Sequence, residues 1–319
     1  MDGDERLDFD MAGGAAILGH AHPAIEAAVA GGAPAGDVAE AALAALLPGS
    51  PRVRFTAEES QALPAAIDAA RRATGRRRAA VWEAGAGAFG GVDDLAAIVL
   101  DPLGVDPIDL AAVRTAADAI GAALIFDEGV SGFRVHDGGA QGLSGVTPDL
   151  AVFGAQIANG RPLGAIAGRP DLIAALDEDD LVAPRTESVA AAKAALTLLH
   201  AAPVAPHLCV LGAELQAEAT RLAEAAGAAR CFRLVGDPSL PTPLFGAPWL
   251  EGLWLREMTK RGLSVVGPHA ISAAHGELEL ARLIAAYLRI LPMMVDETRP
   301  LMPAQRANFV FDARPEGLV

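Results

Sequence analysis

Four short apolar runs constrain this chain more than any other feature. Ala97–Leu100, Ala123–Phe126, Leu150–Phe153 and Gly164–Ala167 are each bounded by Asp, Gly or Pro. Runs of this length, apolar throughout rather than alternating, predict parallel strands covered on both faces. Helical patterns separate them. Ser60 to Ala73 predicts a helix with Ser60 as N-cap, Pro64 in its first turn and Gly75 just past its end. Leu110–Ile120 and Val189–Leu199 predict two more. This alternation implies an α/β domain with a mostly parallel sheet. From about Pro203 the texture changes to a helix (Leu211–Ala225), a strand (Phe232–Val235), a helix (Trp249–Arg261), a strand (Leu263–Val266) and a closing helix (Leu278–Leu291). That order predicts a smaller α+β domain. The stretch after Pro292 lacks periodicity and is expected to be a surface arm.

Composition narrows the function classes. Among 319 residues, 25 Lys+Arg against 40 Asp+Glu give a net charge of −15, which argues against nucleic acid or an anionic membrane as partner. No run approaches eighteen apolar residues, so no membrane span is expected, and the first residues lack a signal-peptide pattern. Cys209 and Cys231 have no metal-ligand spacing and read as reduced thiols of a cytoplasmic protein. No paired Cys/His pattern supports a metal, and His136, His269 and His275 stand singly. Gly85-Ala86-Gly87 and Gly90-Gly91 lack the strand and helix context of a dinucleotide site. Arg71, Arg72, Arg76, Arg77 and Arg78 cluster at a predicted helix C-terminus. They read as a solvated face, with a surface for an acidic partner as the other reading.

Four segments carry a resemblance. They are Ile17-Leu18-Gly19-His20-Ala21-His22-Pro23; Phe126-Asp127-Glu128 with Gly132-Phe133-Arg134; Gly138 to Gly142 with Val146 to Leu150; and Gly154 to Gly160 with Pro162 to Ala165. Together they resemble the class III aminotransferases, nearest to glutamate-1-semialdehyde aminomutases, densest over residues 121–173. The resemblance implies the pyridoxal phosphate (PLP) transferase fold of type I. It implies a large α/β domain at 33–202, a small domain built from 1–32 and 203–319, and a homodimer. It makes His20 and His22 a turn feature, and Asp127 the partner of the cofactor's pyridine nitrogen.

The same alignment removes the cofactor's other contacts. Ala155 stands where the family's lysine belongs, and neither it nor the adjacent Gln156 can form an imine. Glu58-Glu59-Ser60 stands where the family has the Ser-Gly-Thr turn that cradles phosphate at a helix N-terminus. At roughly 5 Å and an effective dielectric near 20, each carboxylate repels a phosphate charge by about 3 kcal/mol. Ala86-Gly87 replaces a stacking Tyr-His pair, and the long insertion before Ala97 is absent. No cofactor is therefore expected. Two readings follow. One is an enzyme using acid/base chemistry on a small polar or carbonyl substrate: cyclisation, dehydration, isomerisation or condensation in a specialised biosynthetic pathway. Asp127, Glu58 and Glu59 would be catalytic, with Gln156, Arg134, Ser60 and Glu128 around the substrate. In that reading Asp127 lacks its former cation, so its pKa is raised, and Glu128 faces away as a supporting or surface group. The other is a non-catalytic partner of another pathway enzyme.

Overall fold

The computed structural model describes residues 6–32, 36–49, 51–82, 94–103, 108–177 and 181–298. Contacts divide the chain into two compact units, Ala15–Pro206 and a second made of Met1–Gly14 with His207–Val319.

The first unit is built on a six-stranded sheet. Its elements in chain order begin with helices α1 (Pro23–Gly31) and α2 (Gly36–Leu46), strand β2 (Arg52–Thr56) and helix α3 (Glu59–Thr74). Strands β3 (Arg78–Val81) and β4 (Leu95–Leu100), helix α4 (Leu110–Ile120) and strand β5 (Ala123–Glu128) follow. Then come α5 (Gly139–Ser144), β6 (Leu150–Phe153), a 3₁₀ turn (Ala155–Ala158), β7 (Gly164–Gly168), α6 (Pro170–Ala174) and α7 (Thr186–Ala201). The spatial order is β2-β7-β6-β5-β4-β3. The β3/β4, β4/β5 and β5/β6 pairs are parallel, and only β7 runs against its neighbours. All four predicted strands are present, and β4 is buried along its whole length.

Strand alternation sorts the sheet's two faces. Ala97, Val99, Ala123, Ile125, Leu150, Val152 and Ile166 form one core with Ala62, Ala66, Ala69 and Ala70 of α3. Four alanines at helical spacing let α3 lie close against the sheet.

Several expectations need correction. α3 starts at Glu59 with Glu58 in the extended N-cap position, and no side chain caps it, so Ser60 is an exposed first-turn residue. The turn is secured instead by Gln61 Oε1 accepting the N–H of Ala57 at 3.1 Å. Pro64 lies in the second turn, tolerated on an exposed face; Gly75 does close the helix in the left-handed conformation. Residues 15–32 pack with the sheet unit and not with the smaller one. Asn159 holds them, accepting the Leu18 N–H at 2.9 Å and donating to the Gly19 carbonyl at 2.8 Å, while Arg161 pairs with Glu26. The His22 carbonyl accepts the first N–H groups of α1, which accords with a turn role.

The second unit pairs β1 (Leu7–Asp8) in parallel with β10 (Leu263–Ser264), and β8 (Phe232–Val235) antiparallel with β9 (Thr242–Phe245). Its helices are α8 (Ala205–Ala225), α9 (Pro248–Lys260) and α10 (Glu277–Thr298). In its core Phe232 stacks on Trp254, and Tyr287 meets Phe232 edge-on and Trp254 at a tilt. The expected arm after Pro292 is helical as far as Thr298, because Ile290, Leu291, Met294 and Thr298 continue the buried face of α10. Residues 299–319 lie outside the described residues. No single described helix is long and apolar enough to cross a membrane.

Candidate functional site

The residues that carry the site emerge where β5 leaves the sheet. Ile125 faces α3, so alternation puts Asp127 on the same face and Glu128 on the other. Asp127 is half-buried and accepts the N–H of Gly129 at 3.1 Å. Glu59, the first residue of α3, extends its carboxylate over the neighbouring strand end and accepts the N–H of Ala155 at 3.3 Å. Two glycines make room for it. A Cβ on Gly154 would lie 2.3–2.5 Å from the Glu59 carboxyl atoms. One on Gly129 would lie 2.8 Å from Glu59 Oε1 and 3.1 Å from Asp127 Oδ1. Both carboxylates therefore converge on the same small volume.

A third acid joins them. Asp101 follows β4 at the place beside Asp127, since Leu100 is in register with Phe126. Its Oδ1 accepts the N–H of Leu103 at 2.8 Å. Desolvation pushes the pKa of all three upward, and the charge of Asp127 adds to the rise at both Glu59 and Asp101. Single bonds from Gly129, Ala155 and Leu103 oppose these rises. No ion pair among the described residues neutralises the three. Asp101 was missed in the sequence because it reads as an ordinary Asp-Pro strand terminator; its register beside Asp127 was the available signal.

The other expected site residues lie elsewhere. Glu58 is exposed; its carbonyl, not its carboxylate, is engaged, accepting Thr56 Oγ1 at 2.8 Å. Ser60 is exposed on the first turn of α3. Glu128 is fully buried rather than a surface group. Its carboxylate accepts the N–H of Ala140 at 2.6 Å, at the start of α5, and burial pushes its pKa up to about 7. Gln156 is buried too, donating from Nε2 to the Glu128 carbonyl at 2.6 Å, while its Oε1 has no partner. Arg134 is wholly buried, so it is not an open clamp for a substrate carboxylate. His136 accepts the Gly138 N–H in its own turn, and His275 bridges Ser272 to the Asp8 carbonyl, so both are structural. Ala86, Gly87 and the glycines at 85, 90 and 91 lie outside the described residues.

The chain has two lysines. Lys193 is exposed on α7, and Lys260 on α9 is tied to Glu257 at 2.7 Å. Neither belongs to β5, β6 or the turn that follows β6.

No known family profile matches the chain. Glutamate-1-semialdehyde 2,1-aminomutases match it at 32% identity in Symbiobacterium thermophilum and 31% in Roseiflexus castenholzii. Each match spans 58% of this chain and only 56% of the length of that relative. Among solved structures, a transaminase with PLP bound superposes with a TM-score of 0.81 at 27% identity, covering 94% of this chain and 89% of that one. An omega-transaminase from Sphaerobacter thermophilus gives 0.78 at 26%, covering 92% and 88%. These likenesses make the chain an aminotransferase-like protein with the α/β PLP-transferase fold.

Proposed function

We propose that this protein works without PLP, as an acid/base catalyst in the cleft where its relatives hold their cofactor. The observation that carries the reading is the Glu59 carboxylate lying over Gly154 and Gly129 beside Asp127. The residues present do not suit PLP. Ala155 offers a methyl group and an N–H already engaged by Glu59, and the N-terminus of α3 carries two carboxylates where a phosphate would need donors.

The chemistry follows from like charges sharing a partly dry site. Burial raises both carboxyls from their ordinary values and the charge of Asp127 raises Glu59 further, so the site favours holding one proton between them over carrying two charges. The protonated member donates to a substrate oxygen and the ionised member accepts a proton from carbon or oxygen, which is the pairing needed for dehydration, isomerisation or cyclisation. Asp127 and Glu59 fill these roles, and Asp101 stands beside Asp127 at the end of the next strand. Glu59 is an exposed residue, so a small polar or carbonyl substrate can reach the pair. A homodimer, the state that the family resemblance implies, belongs to this reading.

Carboxyl ¹³C NMR titration tests the pair. Asp127 and Glu59 should titrate in two linked steps above their ordinary values, and Glu59→Gln should lower the Asp127 midpoint because a like charge is gone. Independent titration of both groups near about 4 would remove the pair as a proton-transfer device.

A further inference from the structure

The arginine cluster and the open side of β3 form a second feature that the cleft does not use. Arg78 and Trp82 donate their N–H groups inward, to the carbonyls of Asp94 at 3.1 Å and Val99 at 2.7 Å. By strand alternation, Ala79 and Val81 point their N–H and C=O groups outward, where no described strand pairs with them. Val81 is 70% exposed.

The arginines around that edge divide into two groups. Arg76 is structural, donating to the carbonyls of Leu95, Ile120 and Gly121. Arg71 pairs with Asp68 and bonds the Arg77 carbonyl, and Arg72 pairs with Asp177. Arg77 and Arg78 are exposed and pair with no described acid. In a chain of net charge −15, two cations with no counter-charge among the described residues thus stand beside backbone groups that no described strand pairs.

We propose that this edge docks an extended acidic segment of a partner protein. The segment would add to the sheet next to β3 through the outward groups of Ala79 and Val81, while its carboxylates pair with Arg77 and Arg78. Main-chain pairing supplies the affinity and charge supplies the selection. A second copy of this chain suits the edge poorly, because antiparallel β3–β3 pairing would bring two sets of arginines together. A nucleic acid could meet the charges but has no ladder to offer the backbone.

The probe is a synthetic seven-residue peptide alternating Glu and Val, with a Lys/Val peptide and a short single-stranded RNA as comparisons. At saturation the acidic peptide should slow amide exchange of Ala79 and Val81 at least about tenfold. Arg77→Glu with Arg78→Glu should weaken binding about tenfold or more, as should raising salt from 0.05 to 0.5 M. Val81→Pro removes an outward donor and no β3–β4 bond, so it should abolish binding while the chain stays folded. Any of four results would overturn the proposal: no binding of the acidic peptide, indifference to these substitutions, tighter binding of RNA or the Lys peptide, or Ala79 and Val81 amides already protected in the free chain. The first would leave the arginines as charges that guard an exposed edge.

Discussion

At Glu128 a single carboxyl at the end of β5 is closed in by the start of α5. A Cβ on Gly139 would lie 2.4 Å from Glu128 Oε2, and Gly139 has φ +68°, so this position requires glycine twice over. With the folded pKa raised to about 7 from 4.5, the folded chain binds this proton more tightly than the unfolded chain does. Stability from this group is therefore full below about pH 4.5 and is lost as pH rises through 7, on the order of 3 kcal/mol. Urea unfolding of Glu128→Gln, which keeps an acceptor for Ala140, should show less loss of stability than wild type between pH 5 and 8. Parallel curves would show that Glu128 is charged throughout. Gly154→Ala makes a contrasting case: the nearest atoms to its Cβ are the end of the Glu59 side chain, and its φ of −101° suits alanine. It should cost less than about 1 kcal/mol, yet return the Glu59 titration toward its ordinary value by driving the carboxylate off Ala155. Asp127 and Glu59 were legible in the sequence as acids at a strand end and a helix start. Burial of Glu128, Gln156 and Arg134 was not, because alternation says which face a residue takes and not what covers that face.

Among the elements, α4, β6 and β8 have the predicted limits, since sharp punctuation encloses each: Asp109 accepts the Ala112 N–H at 3.0 Å and Gly121 ends α4 in the left-handed conformation. The elements not anticipated had weaker signals. β2 alternates exposed Arg52 and Arg54 with buried Val53 and Phe55, a period-two pattern short enough to pass unnoticed. α1 and α2 are alanine-rich, burying only Ile25 in one and Ala39 and Leu43 in the other, so their periodicity is faint. The most demanding packing in a helix is also silent in the sequence. Gly212 in α8 would place a Cβ 1.5 Å from the Pro238 carbonyl oxygen, and backbone cannot step aside as a side chain can. Gly212→Ala should cost about 2–4 kcal/mol in urea unfolding, several times the effect of Gly252→Ala, whose Cβ meets nothing. Equal effects would mean that α8 can shift away from residue 238.

At the scale of the whole molecule, the chain's first residues belong to its last unit. Phe9 is wholly buried, stacks on His275 at 4.3 Å between ring centroids, and exchanges backbone bonds with Ser264 and Ala270. Phe9→Ala should cost about 3–5 kcal/mol, with hydrogen exchange accelerated around β10 and α10 while amides of β4 to β6 keep their protection. Uniform acceleration would mean that the two units open as one. If the Glu59 and Asp127 carboxylates fill the cleft as proposed, the protein retains no PLP. The purified protein is incubated with excess PLP, desalted, scanned, and treated with borohydride before intact-mass analysis. No absorbance should be retained between about 330 and 430 nm, and no mass should be added beyond that of a denatured control. A retained yellow band, bleached by borohydride and leaving one covalent pyridoxyl group per chain, would contradict the proposal.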